Sequence, residues 1–121
     1  MATIELTSEN FDDVVGREGI VAIDFWASWC GPCRMFGPVF EKSSDSNPNI
    51  VHAKVDTEAQ QELAMRFNIT SIPTLMIFRD GILVFNQAGA LPALALADIL
   101  QQAEGLDMAE IRAKVEASQG E

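Results

Sequence analysis

The sequence predicts an α/β fold of one domain, with a central mixed β-sheet flanked by helices on both faces. Segments of strand-like composition alternate with helical segments along the 121 residues, and this order is typical of βαβ units. Residues Gly19 to Trp26 form a nearly unbroken apolar run, which indicates a strand buried on both faces, as in parallel sheets. Asp80-Gly81 separates two later strand candidates and predicts a tight hairpin. The expected sheet is therefore mainly parallel in its core, with an antiparallel C-terminal hairpin.

The first half of the chain alternates strands with helices. The predicted elements are strand 3–6, a helix over about 11–15, strand 19–26, a helix over about 33–40 and strand 50–55. Thr7 to Asn10 supplies N-cap chemistry for the first helix, and Pro38 predicts a kink in the second. The polar stretch from Ser43 to Asn49 has the composition of a loop.

The second half continues the pattern and ends in two helices. The predicted elements are a helix over 58–67, strands 74–78 and 82–85, and helices over 91–103 and 107–117. Leu96, Ile99 and Leu100 have the spacing of an inward-facing helix side. We expect residues 1–104 to form one domain and residues 105–121 to form a C-terminal helical extension packed on it. That extra helix either folds back onto the surface, which is the simpler interpretation, or binds a partner.

Composition and charge exclude several classes of function. The formal net charge is −10, and the lysines and arginines are scattered, so nucleic acid and anionic membrane surfaces would be repelled. No apolar stretch approaches the roughly 18 residues that a membrane-spanning helix needs. The N-terminal residues lack the basic flank and apolar run of a secretory signal, so we expect a cytoplasmic protein. The acidity either keeps the chain soluble or steers it towards a basic partner.

Two cysteines, Cys30 and Cys33, lie where the buried strand ends and a helix begins. This position gives Cys30 the positive end of the helix dipole and unpaired backbone N–H groups, both of which favour the thiolate. Cys33, one turn further on, comes within bonding distance of Cys30 after a small adjustment. The spacing therefore predicts thiol–disulfide exchange: Cys30 attacks a substrate disulfide, and Cys33 then attacks Cys30 to release the reduced substrate.

The alternatives for this pair are half of a zinc site or an inert core pair. Zinc sites need four ligands, and the chain has no further cysteine and only one histidine, His52. No metal site is therefore expected, and we predict that His52 is a surface residue of its strand without a catalytic role.

A carboxylate, Asp24, interrupts the apolar run six residues before Cys30. Burial penalises a charged carboxylate and raises its pKa, so we expect Asp24 to take the proton of Cys33 when that thiol becomes a thiolate. The alternative is an aspartate at the exposed end of its strand. Lys54, on the neighbouring predicted strand, either pairs with Asp24 and moderates the shift of its pKa or is simply solvated.

Two positions near the last strands are candidates for substrate docking. Ile72-Pro73 opens a predicted strand, where proline is allowed at the first position. In the cis form of this bond, Ile72 would present backbone groups to a substrate chain beside Cys30, and the residues alone leave the isomer open. Gly89 follows the last predicted strand and is either a turn residue or part of a flat docking surface.

These segments resemble the thioredoxin family. Val21 to Cys33 is similar to the signature of that family, and Ile72-Pro73-Thr74-Leu75 and Gly89-Ala90-Leu91 match its two other motifs in the expected order. The resemblance spans roughly residues 3 to 103. It implies a thioredoxin fold, with Cys30 as nucleophile and Cys33 as resolving thiol.

The same resemblance implies roles for further residues and partners. Asp24 would be the buried acid, Lys54 its neighbour and Pro73 a cis proline. The implied docking surface for substrate peptides consists of Trp29, Gly31, Pro32, Ile72, Pro73 and Gly89. Such proteins hold no bound cofactor: their redox-active group is the cysteine pair, and NADPH supplies electrons through a separate flavoprotein, thioredoxin reductase. The expected partners are this reductase and disulfide-containing target proteins, and we expect a monomer.

Two other functions compete with a disulfide reductase. The first is an oxidant or isomerase of the same fold, but Gly31-Pro32 places no thiolate-stabilising histidine between the cysteines. The second is a binding or scaffold module in which the thiols are incidental, since fold alone does not determine function. Replacing both cysteines with serine separates this second alternative from an enzyme.

Overall fold

A five-stranded sheet organises the chain, and the computed structural model describes residues 2–119. The strands are β1 (Ile4–Glu5), β2 (Ile20–Trp26), β3 (Val51–Asp56), β4 (Thr74–Arg79) and β5 (Ile82–Ala88). The helices are α1 (Phe11–Val15), α2 (Gly31–Ser46), α3 (Gln61–Arg66), α4 (Ala93–Glu104) and α5 (Met108–Gln119). Within residues 2–119, no helix combines the length and the apolar character needed to cross a membrane.

The sheet is mixed, as predicted, with the strand order β1-β3-β2-β4-β5. β1 and β2 both run parallel to β3, whereas β4 is antiparallel to β2 and to β5. The long apolar strand β2 is therefore central, with a neighbour on each side. Its register places Asp24 directly between Lys54 of β3 and Leu75 of β4.

Alternate residues of β2 supply two cores, one on each face of the sheet. Val21, Ile23 and Phe25 are buried among side chains of α1 and α3, while Ile20 and Ala22 are buried among side chains of α2 and α4. The predicted arrangement of helices on both faces is confirmed. Since side chains alternate along a strand, Asp24 and Trp26 lie on the same face as Ala22, beneath the helix that follows the two cysteines.

Helix α2 is longer than predicted, and the predicted loop over 43–49 is wrong for residues 43–46. Serine favours loops because its hydroxyl competes for backbone hydrogen bonds. Here the hydroxyl of Ser44 donates to the carbonyl of Glu41 inside the helix and accepts the N–H of Ala2, and the side chain is buried. The helix ends at Asn47, whose backbone and side-chain N–H groups both donate to the carbonyl of Ser43.

His52 is buried, so its prediction as a surface residue is wrong. It is 1% exposed because the extended α2 covers this part of β3. Its Nδ1 lies 3.0 Å from the carbonyl oxygen of Ile50, its Nε2 lies 2.9 Å from the hydroxyl of Ser43, and its ring contacts Phe40. Since a carbonyl only accepts, Nδ1 carries the proton of the neutral ring and Nε2 accepts from Ser43.

This burial predicts a pH-dependent contribution of His52 to stability. Burial is the main cause that lowers the pKa of His52 from its ordinary value of 6.5. The unfolded chain then binds a proton more readily than the folded chain, so this stability is complete above pH 6.5 and is lost as the pH falls below it. In His52→Gln, which cannot take up the proton, the free energy of unfolding should lie closer to that of the wild type at about pH 5 than at about pH 7.5. Urea unfolding at the two pH values measures the difference, and an unchanged gap would contradict the prediction.

The C-terminal helix α5 is tied to the β4–β5 hairpin. Arg79 donates from Nη1 to the carbonyls of Ala103 and Glu104 at the end of α4 and of Leu106 in the connection to α5. Arg112 of α5 forms an ion pair with Asp80 at 3.0 Å. The division of the chain into a domain over 1–104 and an extension over 105–121 stays a prediction, and its residues 1, 120 and 121 lie outside the described part of the chain.

Candidate active site

Cys30 and Cys33 form a disulfide at the start of α2. Cys30 is the N-cap residue, with an extended backbone (φ −88°, ψ 115°), and Cys33 lies in the first turn, 5.2 Å away between Cα atoms. Pro32 occupies the first turn, where its missing N–H has no helical partner to lose. The helix therefore begins two residues earlier than predicted, and the predicted strand–turn–helix position of the pair is confirmed.

The loop that carries Cys30 is fixed by contacts on both sides. The carbonyl of Trp26 accepts the backbone N–H and the hydroxyl of Thr57, at 2.9 and 3.0 Å. The guanidinium of Arg34 donates to the carbonyl of Ser28 at 3.1 Å, and the hydroxyl of Ser28 donates to Glu58 at 3.2 Å. These bonds join the loop to α2 and to the turn after β3.

The helix start stabilises negative charge on the sulfur of Cys30. Its Sγ accepts the backbone N–H of Cys33 at 3.2 Å, and the dipole of the sixteen-residue helix α2 adds to this attraction. The two cysteines are 4% and 5% exposed, so exposure does not distinguish the nucleophile from the resolving thiol. Their positions differ, because only Cys30 sits at the N-cap, and this position is consistent with the prediction that Cys30 is the nucleophile.

A loop on the other side of the disulfide brings the docking candidates together. The Ile72–Pro73 bond is cis, as the resemblance implied, and the carbonyl oxygen of Ile72 lies 3.6 Å from the Sγ of Cys30. Gly89 donates its N–H to the carbonyl of Pro73 at 2.8 Å. The φ of Gly89 is +109°, a backbone conformation that side chains with a Cβ rarely adopt, so glycine is required there by conformation.

The six predicted docking residues differ in exposure. Trp29 is 66% exposed beside the disulfide. The others divide into exposed Gly31, Pro32 and Gly89, half-buried Ile72 and buried Pro73. Four of the six thus present surface to a partner, and Ile72 packs against the cysteines.

Asp24 is fully buried beneath α2, at 0% exposure, which excludes the alternative of an exposed strand end. Neither of its carboxylate oxygens has a hydrogen-bond partner among the described residues. Burial has the largest effect and raises the pKa of Asp24, the Lys54 ammonium lowers it, and the Glu41 carboxylate raises it. The net result is a pKa of about 6, raised from 3.8. A carboxylate with that pKa is a base near neutral pH.

Lys54 lies between two carboxylates. Its Nζ is 3.8 Å from Oδ2 of Asp24 and 3.9 Å from Oε1 of Glu41, and it lies over the ring of Trp26, 5.2 Å from the centroid. The predicted pairing with Asp24 is therefore present, and the alternative of a solvated lysine is wrong. Sequence reasoning missed Glu41, although its spacing from Cys33 and Gly37 at i, i+4 and i+8 places the three on one face of α2.

Metal-binding side chains do not converge in the part of the chain that the structure describes. Over residues 2–119, no three histidine, cysteine, aspartate or glutamate side chains come together in a group that could hold a metal ion.

Here a cysteine pair at the start of a helix faces a cis-proline loop of a mixed sheet. This arrangement is typical of a thiol–disulfide oxidoreductase. The family model for thioredoxin matches residues 2–102. The chain belongs to the thioredoxin family, as its motifs predicted, and it is a protein-disulfide oxidoreductase.

Relatives and solved structures agree with this assignment. "Putative thioredoxin 2" of Streptomyces coelicolor is 57% identical over 120 residues, which cover 99% of this chain and 90% of that protein. Thioredoxin of Staphylococcus saprophyticus is 39% identical over 105 residues, covering 84% of this chain and 98% of that protein. The crystal structure of Malassezia sympodialis thioredoxin superimposes with a TM-score of 0.76 at 35% identity, covering 84% of this chain and 93% of that one. The predicted thioredoxin fold is confirmed.

Proposed function

We propose that this chain is a reductant that carries electrons from an NADPH-dependent thioredoxin reductase to disulfides of target proteins. The observation that supports this direction is the surroundings of the Cys30 sulfur. Gly31 and Pro32 offer no side-chain charge or donor, and among the described residues only the backbone N–H of Cys33 donates to Sγ. An oxidant needs a strongly stabilised thiolate in its reduced form, and the two residues between the cysteines add no side-chain stabilisation to that of the helix start.

The reaction starts from the reduced pair. The Cys30 thiolate attacks one sulfur of the target disulfide, and the other target sulfur leaves as a thiolate that takes up a proton. Cys33 gives its proton to Asp24 and attacks Sγ of Cys30, which expels the second target thiolate. This thiolate also takes up a proton, and Asp24 gives up the proton that it received from Cys33. The target gains two electrons and two protons, and the chain is left with the Cys30–Cys33 disulfide, the form that the structure contains. The reductase then returns two electrons to the pair.

Target peptides dock beside the disulfide. The carbonyl of Ile72 lies 3.6 Å from the Cys30 sulfur, so a peptide held by the backbone of the Ile72–Pro73 loop would bring its own sulfur to Cys30. Trp29, Gly31 and Pro32 supply one side of this surface, and Gly89 the other. All the groups that the reaction needs belong to one chain, so we infer that the protein acts as a monomer, and we place it in the cytoplasm.

The equilibrium reduction potential of the Cys30–Cys33 pair tests the direction of transfer. We expect a potential near or below about −250 mV in a thiol redox buffer, because such a pair stays reduced enough to open target disulfides. Thioredoxin has a reduction potential of about −270 mV. The expected value for this chain therefore comes from its family and not from the geometry. A potential above about −200 mV would make the chain an oxidant or isomerase and would contradict the cytoplasmic assignment. Pro32→His is the matched variant, and its potential should be less negative than that of the wild type.

A further inference from the structure

The lysine beneath the redox helix is shared between two acids. Nζ of Lys54 lies at nearly equal distances from Asp24 and Glu41, 3.8 and 3.9 Å from their nearest oxygens. Neither distance is that of a direct hydrogen bond. The Lys54 ammonium therefore interacts with both carboxylates, and neither carboxylate alone neutralises its charge.

Glu41 is held in this position by its own contacts. The hydroxyl of Thr3 donates to Oε1 at 2.8 Å, and Oε2 is buried without a hydrogen-bond partner among the described residues. Gly37, one turn before Glu41, also faces this lysine, and a Cβ built there would make an ordinary contact with Nζ at 3.8 Å. The Glu41 carboxylate thus has a fixed place beside Lys54.

We propose that Glu41 is a positioning residue for the proton-transfer step, because it draws the Lys54 ammonium away from Asp24 and so preserves the proton affinity of that acid. Alone with Asp24, the ammonium would stabilise the Asp24 carboxylate and make it a poorer base. Glu41 takes part of that positive charge and adds a negative charge of its own. This inference rests on the proposed role of Asp24 as the proton acceptor.

The two charges nearest Asp24 shift its pKa in the directions that this proposal requires. After burial, the two charges that act on the pKa of Asp24 are Lys54, which lowers it, and Glu41, which raises it. The other titratable groups on this face lie further along. Glu5 of β1 is exposed and pairs in register with Lys54, and Asp56 of β3 accepts backbone N–H groups of the following turn. His52, on the same face of β3, is also acted on by the charge of Glu41. From α2, Cys33, Arg34, Lys42 and Asp45 line the same cleft. The neighbour of Asp24 on β4, Leu75, does not titrate.

Solvent reaches this group from the side of Glu41. A surface cleft of about 600 Å³ is lined in part by Cys33, Glu41 and Lys54. The side chains of Lys54 and Glu41 are 24% and 21% exposed, whereas that of Asp24 is sealed at 0%. A change at Glu41 therefore alters a wall of the cleft, and we expect Glu41→Gln, which keeps the shape of the side chain, to fold.

Glu41→Gln tests the proposal, since it removes the charge and keeps the shape. We expect the titration midpoint of Asp24, followed by carboxyl carbon NMR in the oxidised protein, to fall by about one pH unit. Lys54→Gln is the opposing control and should raise the midpoint. Thr3→Val frees Glu41 without removing its charge and should lower the midpoint by less than Glu41→Gln does.

A midpoint that stays unchanged in Glu41→Gln, while Lys54→Gln moves it, would overturn the role of Glu41. The pH dependence of the resolution step, measured by single-turnover kinetics, then tests Asp24 itself. A profile that moves with the midpoint supports both residues. A moved midpoint with an unmoved profile supports the action of Glu41 on Asp24 and overturns Asp24 as the acceptor, so the two failures are distinguishable.

Discussion

Cys33→Ser should stop the reaction halfway, with the chain covalently bound to its target through Cys30. Serine nearly preserves the size of cysteine, and the backbone N–H that supports the Cys30 sulfur at 3.2 Å remains. Attack on the target disulfide therefore still occurs, but no second thiol is present to release the target. Cys30→Ser, in contrast, removes the nucleophile, and disulfide reduction should fall by roughly a thousandfold or more.

Non-reducing gel electrophoresis of each variant with a disulfide-containing protein measures both effects. The adduct should accumulate with Cys33→Ser and be absent with Cys30→Ser. An adduct that forms only with Cys30→Ser would reverse the two roles. The double variant Cys30→Ser/Cys33→Ser is the control for a scaffold function, because full retention of function without either thiol would contradict an enzymatic mechanism.

Asp24→Asn should stabilise the protein and slow its reaction. The pKa of Asp24 is about 6 in the folded chain and 3.8 in the ordinary unfolded reference. Between these values the folded chain binds more protons, so stability falls as the pH rises through this window and stays reduced above about pH 6. Asparagine never ionises, and it should therefore add about 3 kcal/mol to the free energy of unfolding at neutral pH.

The gain in stability should depend on pH, and this dependence separates charge from packing. Urea unfolding at about pH 7.5 should show the gain, and at about pH 4 it should nearly vanish because Asp24 is then protonated in the folded chain. An equal gain at both pH values would indicate a packing effect instead. The resolution of the mixed disulfide should slow by roughly a hundredfold at neutral pH, since asparagine cannot accept the Cys33 proton.

The redox centre was predictable because its residues are close together in the sequence. Asp24, Cys30 and Cys33 lie within one strand–turn–helix unit, so the burial of the strand and the start of the helix place all three. The apolar run of β2 alone implied a sheet neighbour on each side and a buried carboxylate. No long-range contact had to be known to assign these residues.

Glu41 and His52 were not predictable in the same way, because their surroundings come from distant segments. The position of Glu41 depends on the N-terminal Thr3 and on how far α2 continues. Composition indicated a loop that begins at Ser43. The hydroxyl of Ser44 instead donates to the carbonyl of Glu41 within the same helix, which is compatible with a further helical turn. His52 is buried because Phe40 contacts its ring and the further turn of α2 brings Ser43 over β3.

The isomer of Pro73 came from the resemblance and not from residue chemistry. An X–Pro bond is cis in only about 5–6% of cases in folded proteins, so no single residue identifies it. The contact between the Gly89 N–H and the Pro73 carbonyl joins positions sixteen residues apart through the β4–β5 register. Such a contact is specified by the sheet as a whole.

The positions of the two tryptophans allow the intrinsic fluorescence of the protein to report on the redox centre. The chain has two tryptophans and no tyrosine. Both indoles flank the redox loop: Trp26 packs against the cysteines, and Trp29 stands exposed beside them. Intrinsic tryptophan emission therefore originates entirely at the reacting centre, so the exchange of electrons, the arrival of a target and the ionisation of the acid below can be followed in unlabelled material.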